Sequence, residues 1–302
     1  MKPALPFKIP ETAEFSPEQI LQAGKSYLDI PYAGQSADQV FDLYLPKKGG
    51  EFFPLILYIH EGAFAFGSKR DRRAETLFAA LERGFAIASM DYRKSDKVTW
   101  PAQIYDVKAA IRYLRANAGK YHLDADKFIL WGMSAGGYLA SIVGVTEGNP
   151  GFEDPGMGNA GCSSAVQAVI DLCGACSGFD AMDEQIFRNG VGRSNHNNEN
   201  SPESIMMGNP LPDITELNRM AAPVTYVHKD IPPFFIQHCV TDPTVPVQQS
   251  EEFAKAIEKI AGAAKVRTVF LEKEADHEKP DYNTEEIVDA ALDFLEEVFE
   301  IR

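Results

Sequence analysis

The chain has 302 residues, 45% of them apolar and 24% charged, with 29 Lys and Arg against 44 Asp and Glu, a formal net charge of −15. This is the balance of a folded globular protein, and the acidic excess excludes a phosphate-backbone partner, which requires clustered Lys and Arg, and disfavours an anionic membrane surface. The longest uninterrupted aliphatic and aromatic run, Leu55 to Ile59, is five residues, against the ~20 that a bilayer demands.

At ~150 residues per domain the length suggests two domains, but α/β enzyme domains often run this long as one unit. The reading adopted is one domain over 1–302, with an N-terminal arm over 1–36 that carries a short helix near Pro17 to Ala23. Met1 to Pro10 lacks the 7–15-residue apolar stretch of a secretory signal, so a cytoplasmic location is expected. The four cysteines, Cys162, Cys173, Cys176 and Cys239, are too few and too irregular for a disulfide framework. Cys173-Gly-Ala-Cys176 has no second pair and no His at ligand spacing, so it reads as buried thiols at a strand end and not as a zinc site.

In chain order, Gln39 to Leu45 alternates like a strand with one wetter face. Leu55 to Ile59, Phe85 to Met90, Phe128 to Trp131, Val166 to Leu172, Phe234 to Val240 and Val266 to Leu271 are near-continuous apolar runs, as in a sheet buried on both faces. Pro46 to Gly50, between the first two, reads as a hairpin-like turn and predicts an antiparallel start. Ile104, Val107, Ile111 and Leu114 recur at helical spacing behind Pro101, as do Phe253, Ile257 and Ile260, and Ile287, Ala291, Phe294, Leu295 and Val298. Strand–helix alternation of this kind predicts an α/β fold, a mostly parallel sheet with helices on both faces. Only the stretch of about 174–231, rich in Gly, Asn, Ser, Pro and Met, breaks the rhythm. It is too long for a simple connection and reads as a partly helical, cap-like insertion.

The most informative segment is Phe128 to Ala140, which carries Gly132-Met133-Ser134-Ala135-Gly136 directly after a strand and before a helix-like run. This G-x-S-x-G spacing is what a nucleophilic serine on a sharp strand–helix turn requires, because a side chain at either glycine would strike the neighbouring strand or helix. The alternative is a Gly-rich helix entry with a capping serine. A serine hydroxyl needs a base. Of the six histidines, His277 lies in a polar loop after Val266 to Leu271 and before the last helix, whereas His238 sits within a strand and His196 precedes the candidate acid. The acid expected between nucleophile and base is Asp242, in the loop after Phe234 to Val240, where it would accept the His277 ring N–H and fix its tautomer. Asp276 competes, but a neighbour of the base does not reach round to its ring. After Leu55 to Ile59 comes His60-Glu61-Gly62-Ala63-Phe64-Ala65-Phe66-Gly67-Ser68, where Gly62 and Ala63, with Ala135 after the serine, offer backbone N–H groups for an oxyanion hole. By itself such a run of small residues also fits a plain turn.

Together these segments resemble the α/β-hydrolase fold, and within it the esterases of the hormone-sensitive-lipase-like and bacterial feruloyl-esterase-like (BD-FAE) groups, over about Val40 to Phe294. Asp42 to Pro46, Asp91-Tyr92-Arg93 and Trp100 to Val107 are similar to segments of those families that have no direct catalytic role. The resemblance implies an α/β-hydrolase domain hydrolysing carboxylic esters through Ser134, His277 and Asp242, with Gly62, Ala63 and Ala135 as oxyanion donors and no metal or organic cofactor. Glu61 and Ala63 stand where the family's loop has glycines. Gly62 is therefore the safer donor, and Glu61 is expected to point to solvent, the sharper alternative being a negative charge beside the cleft that repels anionic esters. The expected partner is a small-molecule or carbohydrate ester, and feruloyl- and acetyl-type side-chain esters of plant polysaccharides are the substrates the resemblance suggests. Phe64, Phe66, Tyr138 and Phe179 are candidate substrate contacts. Phe179, Met182, Ile186, Phe187, Met206 and Met207 are expected to roof the cleft. A peptidase on the same fold would want a larger sieving region, and a non-catalytic ligand-binding relic would want a broken triad.

Overall fold

A computed structural model describes residues 12–272, 277 and 284–301. Among them, eight strands form one sheet: β1 (Ala23–Pro31), β2 (Val40–Pro46), β3 (Phe53–Ile59), β4 (Ala86–Met90), β5 (Leu123–Met133), β6 (Ala168–Leu172), β7 (Phe234–Cys239) and β8 (Val266–Leu271). Their spatial order is β1-β2-β4-β3-β5-β6-β7-β8. β2 pairs antiparallel with both β1 and β4, and every pairing from β4 to β8 is parallel. The helices are α1 (Ala102–Ala116), α2 (Ala118–Tyr121), α3 (Ala135–Val145), α4 (Met182–Asn189), α5 (Pro202–Met207), α6 (Thr215–Ala221), α7 (Gln248–Ile260) and α8 (Glu285–Phe299), joined by a ten-residue 3-10 helix, Arg72–Leu81.

Alternation along the central strands explains why they read as continuous apolar runs. Leu55, Leu57 and Ile59 of β3, with Phe128 and Leu130 of β5, face the layer that includes Ile104 and Val107 of α1, Leu139 of α3 and Phe253 of α7. Ile56 and Tyr58, with Ile129 and Trp131, face the opposite layer, built from Leu77 and Phe78 of the 3-10 helix and Val288, Leu292 and Leu295 of α8. Both faces are thus covered, and period-2 residues on either side are equally apolar. Among the described residues no helix is long and apolar enough to cross a membrane.

Three expectations are corrected. The antiparallel start is present, but β2 and β3 do not form a hairpin: β4 lies between them, antiparallel to one and parallel to the other. The arm contains a nine-residue edge strand, β1, after its short helix at Pro17–Gln19; its mostly exposed positions leave no apolar run to read. Val266 to Leu271 is the opposite edge, with Arg267 and Thr268 exposed, so it is not covered on both faces. Ile260, at the end of α7, points outward at 48% exposure. Met1 to Pro10 falls outside the described residues.

Candidate active site

In a parallel sheet the strands deliver their C-terminal ends to one side, where the following loops meet. The loops after β3, β5 and β7 converge here, and His277, which follows β8 in sequence, joins them. The loop after β5 is a single residue, Ser134, between the strand and α3. Its backbone has φ 53° and ψ −119°, a conformation that costs of order 1–3 kcal/mol for a residue with a Cβ. Its N–H donates to Leu172 O of β6 at 2.8 Å, which holds the turn. A Cβ on Gly132 would lie 2.1 Å from Gly136 O, and one on Gly136 would lie 2.0 Å from Ile59 O. Both contacts are with backbone, so the two glycines are demanded by close approach, as the spacing predicts.

Ser134 Oγ lies 2.8 Å from His277 Nε2, and His277 Nδ1 lies 2.8 Å from Asp242 Oδ2. The three side chains picked out by sequence order are therefore one hydrogen-bonded chain, although 143 and 35 residues separate its members. Asp242 is 1% exposed and His277 7%. Asp242 Oδ1 accepts the N–H groups of Thr244 and Val245, so its own loop folds around it. Burial works against its ionisation. The His277 ring, with hydrogen bonds from His238 and His277, outweighs that and holds the carboxyl well below the usual range. Glu274 to Asp276 and Glu278, the neighbours of His277, fall outside the described residues.

The sequence context of His238 predicts a strand residue. It is one, but its side chain also braces the acid loop: Nδ1 is 2.7 Å from Ser250 Oγ, and Nε2 is 2.9 Å from Val245 O and 3.6 Å from Asp242 Oδ2. Cys173, at the end of β6, is fully buried. Burial, then the Asp242 charge, pushes its thiol well up, so it stays protonated. It shares the neighbourhood of Asp242 and His277, whose facing atoms are already committed to the hydrogen-bonded chain. Cys173 and Cys176 are buried thiols at a strand end, as read.

The loop after β3 is held from below. His60 is completely buried, stacks on Tyr92 at 4.4 Å between ring centroids, and donates Nδ1–H to Glu61 O at 2.6 Å. Tyr92 donates its hydroxyl to His60 O at 3.2 Å. Beyond this anchor the backbone enters positive φ at three successive residues, Gly62 (117°), Ala63 (49°) and Phe64 (61°). Ala63 thus keeps the left-handed conformation a glycine would adopt freely, at a cost of roughly 1–2 kcal/mol. Among the described residues the N–H groups of Gly62, Ala63 and Ala135 have no protein acceptor, and all three residues line the cavity at Ser134.

That cavity measures about 210 Å³. Phe64, Phe66, Tyr138 and Phe179 all line it, together with Met182 from the segment after β6. Phe64, Tyr138 and Phe179 are also core residues in mutual ring contact, at centroid distances of 4.8–6.0 Å, so they wall the cavity from behind. Phe187 does not roof the cleft: it is 84% exposed. Ile186, Met206 and Met207 are buried, and none of the three lines the cavity.

Glu61 corrects a second expectation. It is 3% exposed and does not point to solvent; its Oε1 is 2.5 Å from Arg73 Nε, and Arg73 is gripped in turn by both carboxylate oxygens of Asp71 at 2.9 Å. Glu61 and Arg73 both line the cavity. The charge beside the cleft is therefore half of an ion pair. Arg73 and Glu203 are lining residues that sequence reasoning missed, since neither lies on a strand end or in a recognisable motif.

A strained serine between strand and helix, on a mostly parallel sheet covered on both faces, defines an α/β-hydrolase. The chain belongs to the BD-FAE family, which it matches over residues 41–257. The esterase LipQ of Mycobacterium tuberculosis is 32% identical over 79% of this chain and 54% of its own length. The probable carboxylic ester hydrolase LipM of the same organism is 30% identical over 69% of this chain and 46% of its own. The chain thus spans about half the length of these curated relatives. Among solved structures, a truncated form of a carbohydrate esterase from gut microbiota is 28% identical with a TM-score of 0.80, covering 92% of this chain and 97% of that one.

Proposed function

We propose that the protein is a serine carboxylesterase that works through an acyl-enzyme. Ser134 Oγ attacks the ester carbonyl while His277 Nε2 takes its proton, and Asp242, ionised, holds the ring with Nδ1–H toward it and stabilises the imidazolium. The developing oxyanion accepts hydrogen bonds from the N–H groups of Gly62, Ala63 and Ala135. His277 returns the proton to the departing alcohol, then removes one from the water that hydrolyses the acyl-enzyme. The observation that carries this reading is the unbroken 2.8 Å and 2.8 Å chain from Ser134 through His277 to Asp242.

For substrate, we propose acetyl- or feruloyl-type esters on polysaccharide side chains. The likeness to a gut carbohydrate esterase supports it, as does a cavity of about 210 Å³ walled by aromatic residues. That space exceeds the ~150 Å³ that suffices for a benzene ring, so it admits an acetyl group and has room for one aromatic ring. The test is Ser134→Ala on p-nitrophenyl acetate, with fluorophosphonate labelling of the unsubstituted protein. Loss of turnover by about 10³-fold or more, with label on Ser134, is expected; undiminished turnover or label elsewhere refutes the assignment. Rates on acetylated xylan, methyl ferulate and p-nitrophenyl acetate separate the acyl types. Activity confined to the last refutes the polysaccharide reading.

A further inference from the structure

The cavity at Ser134 does not stand alone. Ala63, Glu203 and Thr244 line both it and a second, wider cavity of about 800 Å³ directly beside it. The two differ in character. The first is backed by Phe64, Tyr138, Phe179 and Met182, whereas the second, among the described residues, has no Phe, Tyr or Trp in its lining and presents Arg193, Asn195, Asn198 and Asn200.

The loop that carries these groups is fixed at several points. Asp183 of α4 accepts the N–H groups of His196 and Asn197, each at 2.9 Å, and Ser194 Oγ donates to Asp183 O at 3.1 Å. His196 is 6% exposed, with Nδ1 3.3 Å from Glu203 Oε1. Gly192, at φ 97°, runs so close to the acid loop that a Cβ would sit 2.3 Å from Pro243 O. Yet among the described residues the side chains of Arg193 and Asn195 make no hydrogen bond or ion pair, and Asn198 uses only Oδ1, accepting from Asn200 N. The Asn200 amide also donates to Glu199 Oε1 at 3.5 Å, so the groups left for a ligand are the Asn195 carboxamide, the Asn198 Nδ2 group and the Arg193 guanidinium. A segment held this firmly has its ordering cost met before any ligand arrives.

We propose that this groove is the alcohol-side subsite of the Ser134 centre and takes a neutral, polyhydroxylated alcohol, a glycosyl unit of one to a few sugars. The inference rests on the esterase reading above and extends it to the leaving group. Each carboxamide offers both donors and an acceptor, which matches neighbouring sugar hydroxyls, and the Arg193 guanidinium adds donors that hydroxyl oxygens also accept. The small apolar-walled cavity is left for the acyl group.

The test compares kcat/KM on a monoacetylated xylobiose with that on p-nitrophenyl acetate, in the unsubstituted protein and in Asn195→Ala/Asn198→Ala. Both positions are exposed, so folding is not at stake, and a circular dichroism melt verifies it. The preference for the sugar ester is expected to fall about tenfold in the double variant, mainly through KM, the scale of two neutral hydrogen bonds lost. An unchanged preference overturns the subsite. So does an unsubstituted protein that hydrolyses p-nitrophenyl acetate but not the sugar ester, which leaves the esterase reading standing. A protein that hydrolyses neither ester and takes no fluorophosphonate label fails at the esterase reading, and the subsite falls with it.

Discussion

Acid should weaken this protein through His60. The ring is fully buried against Tyr92, and burial, opposed only in part by Asp91, pushes its pKa from 6.5 down to about 4. The sign follows from proton counting. Between pH 6.5 and 4 the unfolded chain holds a proton on this residue and the folded one does not, so stability rises with pH across that window and is lost as pH falls. A shift of about 2.5 units at ~1.36 kcal/mol each makes the native state about 3 kcal/mol less stable at pH 4 than at pH 8 from this residue alone. Against a total of ~5–15 kcal/mol that is a large share.

The perturbation is His60→Phe, which keeps a ring against Tyr92 but cannot titrate. It removes the Nδ1–H donor to Glu61 O, so the variant should be about 1–3 kcal/mol less stable at pH 8. Urea unfolding at pH 8, 6, 5 and 4 then measures both proteins. Their gap should narrow by about 3 kcal/mol toward pH 4, because only the unsubstituted protein suffers the proton cost at His60. A constant gap, or an imidazole that titrates near 6.5 by NMR, would show that the ring is not desolvated as described.

Gly136→Ala places a methyl group 2.0 Å from Ile59 O, more than an ångström inside ordinary contact, and should cost about 3 kcal/mol or more by urea unfolding. Gly34→Ala meets nothing within 4 Å and serves as the comparison; similar costs at the two sites would refute the close-approach account. Asp242→Asn should lower kcat by about 10⁴-fold on p-nitrophenyl acetate. Because the folded carboxyl is depressed, its stabilising contribution is present above the ordinary value near 3.8 and is lost as pH falls through the folded one. The stability gap between the two proteins should therefore close below pH 4, and a gap that widens there would contradict the sign.

The strands that position the site were legible because each central strand is buried on both faces, so its residues form unbroken apolar runs. β1 was not, since an edge strand with most positions in water carries no such run. Ser134, Asp242 and His277 could be found together for a topological reason. Parallel strands bring all their C-terminal ends to one side, so residues far apart in sequence meet if each follows a strand. That logic stops at side chains supplied by other elements. Arg73 comes from a 3-10 helix and Glu203 from the short α5 in an aperiodic segment, and neither announces which cavity it lines. His238 was legible as a strand residue, but its contact with the acid loop depends on how that loop folds back over β7.

Glu61 shows the same limit in electrostatic terms, and it changes what the net charge says about ligands. A total of −15 suggests an anionic cleft when a glutamate stands in the loop beside the serine. Fields at a site are set by charges within about a Debye length, roughly 8 Å at physiological salt, and by what those charges are paired with. Glu61 is paired with Arg73 at 2.5 Å, and Glu203 faces His196 at 3.3 Å. Glu61 in the first cavity and Glu203, which lines both, are therefore already engaged, while exposed Arg193 in the second has no ion-pair partner among the described residues. The global charge acts on the approach of polyanions to the surface as a whole. On the proposed esterase reading, selection among esters at Ser134 falls instead to shape and hydrogen bonding, the two properties that distinguish the apolar cavity from the amide-lined one.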